Sequence, residues 1–371
     1  MRKSLKKRLL TGILVMALTI GSSVAMASAP LSIAEQGSFT VGGTYVTHGG
    51  TFKQENFVSP DGQRAYGDYD YVEYQKPVHA KKLPLIFQHG GAQSKRTWET
   101  TVDGREGFNT LFLREGYSVY LVDQARTGES NFSTKAITPD TPWSGNPMYA
   151  DKTFYILSRI GHYDENGKTV PNEQFPKGEK AYQAFQQSWT VGSGPLDNDL
   201  NAALLTQLVN QQKDGAVLVT HSMGGTIGWR TALRTNKVKG IIAYEPGGTE
   251  FIFPEDDMPV LTQAHFAPLS ASAMGVPREQ YMALTRIPIV LYYGDHIKVG
   301  SENVGEDKWG TEFLMAQQFV NTINKNGGDA TLVHLPDIGI KGNSHFLMGE
   351  KNNKQIMQLA VKWLHDKGLD R

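Results

Sequence analysis

Residues 216–225 have the sequence AVLVTHSMGG, and this stretch decides the fold. Its first half is apolar and β-branched, as in a strand that is buried on both faces. Ser222 follows this run, with Thr220 two positions before it and Gly224 two positions after it. A serine raised above a sheet on a sharp strand-to-helix turn needs small residues at both positions, because larger side chains would clash with the strained backbone. The stretch therefore predicts a strand, a nucleophile turn and a helix that begins beside Ser222.

The sequence on either side of this turn alternates between short apolar runs and helical patterns. Six nearly continuous apolar runs predict buried strands, and two earlier segments alternate as antiparallel edge strands do. The predicted strands are residues 38–46, 68–74, 83–88, 118–123, 216–221, 240–244, 288–293 and 330–335. Helices are predicted at 106–115, 196–212, 225–234, 311–325 and 352–367. This order predicts an α/β fold with a mostly parallel central sheet of about eight strands flanked by helices.

A nucleophile turn in this setting resembles that of the α/β-hydrolase family, and the chain is similar to secreted bacterial serine esterases in particular. The resemblance covers the chain from about residue 83 to the C-terminus, apart from one insertion. Thr220 is a departure, because the usual pattern has Gly at that position. The resemblance implies acyl transfer with Ser222 as the nucleophile, and it implies no cofactor and no metal.

The loop after the third predicted strand contains His89-Gly90-Gly91. Similar hydrolases build the oxyanion hole from the backbone N–H of the residue after His-Gly and from that of the residue after the nucleophile. These residues are Gly91 and Met223 in this chain. Gly91 has no side chain, so its backbone can approach a substrate closely. We expect His89 to hold this loop rather than to act in catalysis.

His345 is the expected general base among the ten histidines. It lies in a Gly/Asn/Ser-rich loop after the last predicted strand and before the final helix, and the order in this fold is nucleophile, acid, then histidine. His334 falls within a predicted strand and His365 on the final helix. A neutral imidazole at His345 would accept the Ser222 proton and return it later, as acyl transfer near neutral pH requires.

Two carboxylates are candidates for the acid that orients His345. Most of the family places this acid three residues after the Gly that ends the seventh strand, and here that position is Ile297. Asp295 follows the same Gly directly, whereas Glu245 follows the sixth strand. Some secreted bacterial esterases that resemble this chain use a Glu after the sixth strand. Glu245 is therefore the expected acid, with Asp295 as the alternative.

The composition narrows the classes of protein and partner. The 371 residues include 37 Lys and Arg, 37 Asp and Glu, and no Cys. Zero net charge gives no electrostatic argument for nucleic acid or an anionic membrane as a partner. The lack of Cys excludes disulfides, thiol catalysis and Cys-ligated metal centres. We expect a small-molecule or polymeric ester as the partner; the oligomeric state is left open.

The N-terminus has the pattern of a secretory signal peptide. Five Lys and Arg residues within positions 2–8 precede a short apolar run at 9–20, and small residues follow it. About twelve apolar residues are too few to span a bilayer, so we expect cleavage after Ala27 rather than a membrane anchor. The mature chain, residues 28–371, would be secreted or periplasmic, without stable membrane insertion, and would carry 32 basic against 37 acidic residues.

Residues 28–371 are expected to form a single domain with two insertions, at about 131–194 and 251–286. Sixty structureless residues within a domain are uncommon, so both insertions are expected to have some structure and to form a lid or cap. Plain surface elaboration is the alternative. Aromatic residues of the first insertion line a substrate pocket or form the insertion's own core: Trp143, Tyr149, Tyr155, Tyr163, Tyr182 and Trp189. Trp98, near the oxyanion loop, has the same two interpretations.

These observations predict a secreted carboxylesterase with a Ser-His-Glu triad. The same triad would serve a lipase, a polyester depolymerase, a lactonase or a peptidase, and a catalytically silent binding protein on this scaffold also remains open. A serine nucleophile argues against haloalkane dehalogenases, which resemble this fold but use Asp.

Overall fold

A computed structural model describes residues 29–135 and 150–371 of the chain. The chain divides into two units, Met1–Leu31 and Ser32–Arg371, and every element below belongs to the second unit. The expected signal peptide, residues 1–27, lies outside the described residues.

The second unit is built on an eight-stranded sheet with the spatial order β1-β2-β4-β3-β5-β6-β7-β8. β2 pairs antiparallel with β1 and β4, and all other neighbours in the sheet are parallel. The strands of this sheet are β1 (Ile33–Thr47), β2 (Arg64–Pro77), β3 (Leu85–Gln88), β4 (Val119–Asp123), β5 (Ala216–His221), β6 (Val238–Tyr244), β7 (Pro288–Tyr293) and β8 (Asp329–His334).

The α-helices of the described residues cover this sheet and its connections. They are α1 (Phe108–Arg114), α2 (Asp151–Leu157), α3 (Glu179–Gln187), α4 (Asn198–Gln211), α5 (Gly224–Arg234), α6 (Arg278–Tyr281), α7 (Val304–Lys325) and α8 (Asn353–Asp366). Short 3-10 helices occur at Gln54–Asn56, Lys95–Trp98, Gly128–Ser130, Ala267–Leu269, Leu284–Arg286 and Leu335–Ile338. Across the part of the chain that the structure describes, no helix combines the length and the apolar character needed to cross a membrane.

The prediction of a mostly parallel eight-stranded sheet flanked by helices is confirmed. β3 to β8 lie where the continuous apolar runs placed them. Helices cover both faces of β3 to β7, whereas β8 is an edge strand with exposed residues. On one face, Leu218 of β5 shares a core with Leu205 of α4 and Ile227 of α5. On the other face, Phe87 of β3 packs edge-on against Phe112 of α1.

The two N-terminal strands differ from the prediction in length and position. β1 and β2 pair along almost their full length, from Ile33 opposite Pro77 to Thr47 opposite Arg64. β1 is the edge strand, but β2 lies one position further in, between β1 and β4. Alternating hydrophobicity identified an antiparallel pair, yet it does not distinguish an edge strand from its inner neighbour.

The described parts of both insertions contain regular structure. Residues 150–194 include α2, α3 and an antiparallel pair formed by Gly161–Tyr163 and Thr169–Pro171. In residues 251–286, Phe251–Pro254 and Ala273–Val276 form a parallel pair, and α6 follows.

Parallel pairing brings the ends of four strands to one edge of the sheet. Gln88 at the end of β3 pairs with Thr220 in β5, and His221 at the end of β5 pairs with Tyr244 in β6. Tyr244 in turn pairs with Tyr292 in β7. The residues that directly follow these strands therefore meet at the carboxyl edge of the sheet, where ligands of such folds bind.

Candidate active site

Ser222 occupies a strained turn at this edge. Its φ of 55° lies in the left-handed region that residues with a Cβ rarely adopt. Its N–H donates to the carbonyl of Tyr244 (3.1 Å), and its own carbonyl accepts from the N–H of Gly225 (2.9 Å), which fixes the turn to β6 and to the first turn of α5. The residue is 8% exposed and lines the adjoining cavity.

Small residues on both sides make this turn possible. A Cβ at Gly224 would lie 2.6 Å from the carbonyl oxygen of His89, so no larger residue fits there without movement of the loop that contains His89. Thr220, which departs from the usual Gly, is accommodated because Gly228 faces it from the next turn of α5. A Cβ at Gly228 would lie 3.0 Å from Thr220 Cγ2.

His345 lies in the loop between β8 and α8, and it lines the same cavity as Ser222. Its Nδ1 is 2.8 Å from Oε2 of Glu245. Its ring packs on Trp309 of α7, with 3.9 Å between the ring centroids, and its backbone N–H donates to the carbonyl of Ser158 (3.0 Å). A bond from Nδ1–H to the carboxylate leaves Nε2 as the nitrogen that can accept a proton.

Glu245 stands at the end of β6 with a φ of 42°, a second strained position at the same edge. Its carboxylate is fully buried, yet both oxygens are satisfied. Oε2 faces His345, whereas Oε1 accepts from the N–H of Gly294 (2.6 Å) and from Nη2 of Arg159 (2.5 Å). These bonds fix the orientation of the carboxylate and direct one oxygen at the imidazole.

Asp295 lies at the end of β7, but its carboxylate is used by its own loop. Oδ1 accepts from the N–H of His296 (2.7 Å) and Oδ2 from the N–H of Gly342 (2.9 Å). Within residues 29–135 and 150–371, the carboxylate that contacts His345 is that of Glu245. Ile297 packs against the hydrophobic core.

Burial holds the pKa of the His345 imidazole well below its usual range, and the cations of Arg159 and Lys308 lower this pKa further. Arg159 also pairs with Glu245, so it reduces the effect of the carboxylate charge on the imidazole. His345 is therefore neutral near pH 7 and able to accept a proton.

The loop of His89, Gly90 and Gly91 packs directly against the turn at Ser222. A Cβ at Gly90 would lie 2.6 Å from Cβ of Ser222, and a Cβ at Gly91 would lie 2.4 Å from Sδ of Met223. For the described residues, the N–H groups of Gly91 and Met223 have no hydrogen-bond acceptor in the protein. His89 is buried and holds the loop as expected, with Nδ1 2.8 Å from the carbonyl of Gly90.

The cavity above Ser222 has a volume of about 660 Å³. Gly91, Met223 and His345 line it, together with residues of the first insertion and of the segment after it, namely Phe154, Leu157, Thr190, Pro195 and Leu196. The second insertion contributes Leu269.

Among the described residues, two cationic side chains line this cavity, and each is paired with a carboxylate. Lys308 Nζ lies 3.1 Å from Oε1 of Glu312, and Arg126 lies 2.8 Å from the carboxylate of Asp68. Neutralised cations among apolar walls suit an uncharged substrate better than an anionic one. The described residues contain no group of three or more potential metal ligands.

Those of the sequence-predicted aromatic residues that the structure describes do not line the cavity. Tyr155 contacts Tyr163 and Tyr182, with 5.2 Å between ring centroids in both pairs. Trp189 packs on Phe154, at 4.6 Å. Trp98 is fully buried among core aromatics on the α1 face of the sheet. Trp143 and Tyr149 lie outside the described residues.

Arg159, Lys308 and Trp309 contact the site but were not anticipated from the sequence. Arg159 is 86 positions from Glu245, in an insertion with no motif around it. Lys308 and Trp309 lie on α7, whose helical pattern predicted a helix beginning after both of them. Nothing in the local sequence indicates that these side chains turn towards the carboxyl edge.

Comparisons with known proteins identify the family of this chain. Residues 85–330 match the model of the alpha/beta hydrolase family. A probable secreted lipase, phiG, from Fungal sp. (strain ATCC 74256) is 26% identical over 335 residues, which cover 79% of this chain and 85% of the relative. A solved structure described as a novel bacterial esterase superposes with a TM-score of 0.71 at 29% identity, covering 92% of this chain and 98% of that one.

Proposed function

The chain belongs to the α/β-hydrolase family, and we propose that it is an exported serine carboxylesterase with a triad of Ser222, His345 and Glu245. The observation that carries this proposal is the Glu245–His345 pair, buried beside a strained serine on the wall of a largely apolar cavity. The resemblance to a bacterial esterase over nearly the whole of both chains supports ester hydrolysis.

In the proposed mechanism, His345 Nε2 takes the proton of the Ser222 hydroxyl as Oγ attacks the ester carbonyl carbon. The N–H groups of Gly91 and Met223 stabilise the tetrahedral oxyanion, an effect of about 3 kcal/mol for a single donor in comparable sites. His345 then protonates the departing alkoxide. The alcohol is released, and the acyl group remains bound to Ser222 as an ester. Water attacks this ester with His345 again as base, which releases the carboxylic acid and restores Ser222.

We also propose export by the N-terminal signal peptide, with cleavage after Ala27. The positive and apolar pattern of residues 2–20 supports this, as does the likeness to a probable secreted lipase. The residues around the cavity support a substrate-facing cap formed by the first insertion, whereas the second insertion contributes little to the cavity wall.

The test is ester turnover by the chain from Ser28 onward, with p-nitrophenyl acetate, butyrate and octanoate as substrates. Ser222→Ala should lower kcat/KM by at least about 10³-fold, because the proposed acyl-enzyme forms on the Ser222 hydroxyl. Ser118→Ala is a matched control, since Ser118 is similarly buried but precedes β4 at the opposite edge of the sheet. Equal rates in the wild type and Ser222→Ala would refute the assignment.

A lipase is the second candidate, favoured by the likeness to the probable secreted lipase. The acyl-length profile separates the two functions. Rates that fall from butyrate to octanoate indicate an esterase, whereas rates that rise with chain length and increase on emulsified substrate indicate a lipase. Depolymerase, lactonase and peptidase activities are tested with the corresponding polyester, lactone and amide, and a silent binding protein would show no Ser222-dependent turnover of any of them.

A further inference from the structure

Two consecutive residues of the first insertion hold both partners of Ser222. The carbonyl of Ser158 accepts from the backbone N–H of His345 (3.0 Å), and Nη2 of Arg159 donates to Oε1 of Glu245 (2.5 Å). The insertion therefore contacts the expected base and the expected acid directly. We refer to Ser158 and Arg159 together as the clamp.

The clamp is fixed by several hydrogen bonds. Arg159 has a φ of 53°, which turns the chain sharply just after the end of α2. Its Nε donates to the carbonyl of Asp295 (3.0 Å), and its own carbonyl accepts from Nδ2 of Asn172 (2.7 Å). Trp309 Nε1 donates to the carbonyl of Leu157, the residue before the clamp (2.8 Å). Arg159 thus bridges the ends of β6 and β7.

The placement of the cation argues for more than general stabilisation. The side chains of Arg159 and Glu245 are 1% and 0% exposed, and burying a charged pair is costly unless its geometry is good. The guanidinium contacts Oε1, the oxygen that His345 does not use, and so it leaves Oε2 directed at the imidazole. A surface ion pair would have joined the same two segments without this desolvation cost.

We propose that Arg159 is a positioning residue for the Glu245–His345 pair, and that the end of α2 is a fixed part of the active site rather than a moving part of a lid. This rests on the proposed function, because it assigns Arg159 a role in that same triad. Movement of the clamp would break the Arg159–Glu245 and Ser158–His345 bonds together, so the proposal places any opening of the insertion away from the end of α2.

The charges around His345 give the proposal a signature in pH dependence. In the described part of the chain, four ionisable side chains face this imidazole from four elements: Glu245 from the end of β6, Arg159 from the insertion, Lys308 from α7 and His221 from the end of β5. Removing the Arg159 cation leaves the carboxylate as the dominant charge. The protonated imidazole is then favoured, so the pKa of His345 rises and the acid limb of kcat/KM moves to higher pH.

The experiment compares Arg159→Gln and Arg159→Lys with the wild type, and uses Arg230→Gln as a matched control. The Arg230 side chain is 11% exposed and pairs with two carboxylates, but it lies on α5 outside the cavity. We expect Arg159→Gln to lower kcat by about 10- to 100-fold with little change in KM, since misplaced catalytic groups reduce kcat by this order. The acid limb of its kcat/KM profile should move to a pH about one unit higher. Arg159→Lys should return the acid limb to its wild-type pH and should recover part of kcat.

An NMR titration of the His345 ring in the free enzyme provides a readout that does not need turnover. The resonance is assigned by its loss in His345→Gln. A raised pKa in Arg159→Gln, with no ester turnover in any variant, would support the positioning role and refute the proposed function. Wild-type turnover with an unchanged His345 pKa and unchanged kcat in Arg159→Gln would overturn the positioning role alone. If Arg159→Gln does not fold, Arg159→Met serves as the neutral variant.

Discussion

Replacing Glu245 by Gln removes the charge that faces His345 while keeping the side-chain shape. The wild-type contact joins His345 Nδ1 and Glu245 Oε2 at 2.8 Å. Two unit charges at this separation attract by about 6 kcal/mol at an effective dielectric constant of about 20. This attraction is realised only when His345 becomes an imidazolium, that is, during proton transfer from Ser222, so its loss reduces kcat.

The amide oxygen is held by the Gly294 and Arg159 donors, so the amide NH2 faces His345 Nδ1. The bond that remains is neutral and roughly half as strong as a charge-assisted one. The net loss is therefore between about 3 and 6 kcal/mol, which corresponds to a kcat lower by about 10²- to 10⁴-fold. The upper end is expected, because the buried Arg159 cation loses its counter-charge in Glu245→Gln and then disfavours the imidazolium.

The assay is kcat and KM for p-nitrophenyl butyrate across a pH series, with Asp295→Asn measured in parallel. The carboxylate of Asp295 accepts two loop N–H groups and does not contact His345, so this variant should lose less than about tenfold in kcat. Thermal unfolding of both variants separates lost catalysis from lost folding. A larger loss of kcat in Asp295→Asn than in Glu245→Gln, with both proteins folded, would refute the assignment of the acid.

Four further outcomes are expected. The pKa of His345 is held below its usual value by burial, and the base acts when it is neutral. The acid limb of kcat/KM should therefore lie below about pH 6.5, and kcat/KM should be nearly constant above it. An acid limb above that pH would contradict this assignment. Gly90→Ala should abolish most activity or prevent folding, because its Cβ would lie 2.6 Å from Cβ of Ser222; wild-type rates in a folded variant would argue against this packing. Burial raises the pKa of Glu350 to about 7, so the folded chain keeps a proton that the unfolded chain releases near pH 4.5. The free energy of unfolding should therefore fall by about 3 kcal/mol as pH rises from about 4.5 to about 7. Urea titrations should find that this free energy depends less on pH in Glu350→Gln than in the wild type. Mass spectrometry of the exported chain should give an N-terminus at Ser28; an intact N-terminus would exclude the proposed cleavage.

Much of the fold followed from local patterns. The runs that became β3 to β7 are nearly continuously apolar because both of their faces are covered, and the ends of β3 to β8 fall within about two residues of the prediction. The position of β2 inside the sheet was missed, since an alternating pattern reports one covered face but not which strands lie on either side. The strained turn at Ser222 was also predictable, because its small neighbours are required by the turn itself.

The sequence by itself determined the α/β class, the turn at Ser222 and a short set of candidates for its partners. These features depend on residues that are neighbours along the chain, where steric limits and hydrophobic periodicity act directly. Only the tertiary structure decided that the carboxylate of Glu245, rather than that of Asp295, contacts His345, and that Arg159 contacts Glu245 from an insertion. Both carboxylates end neighbouring parallel strands, so their difference arises from side-chain direction and from bonds between residues far apart in sequence.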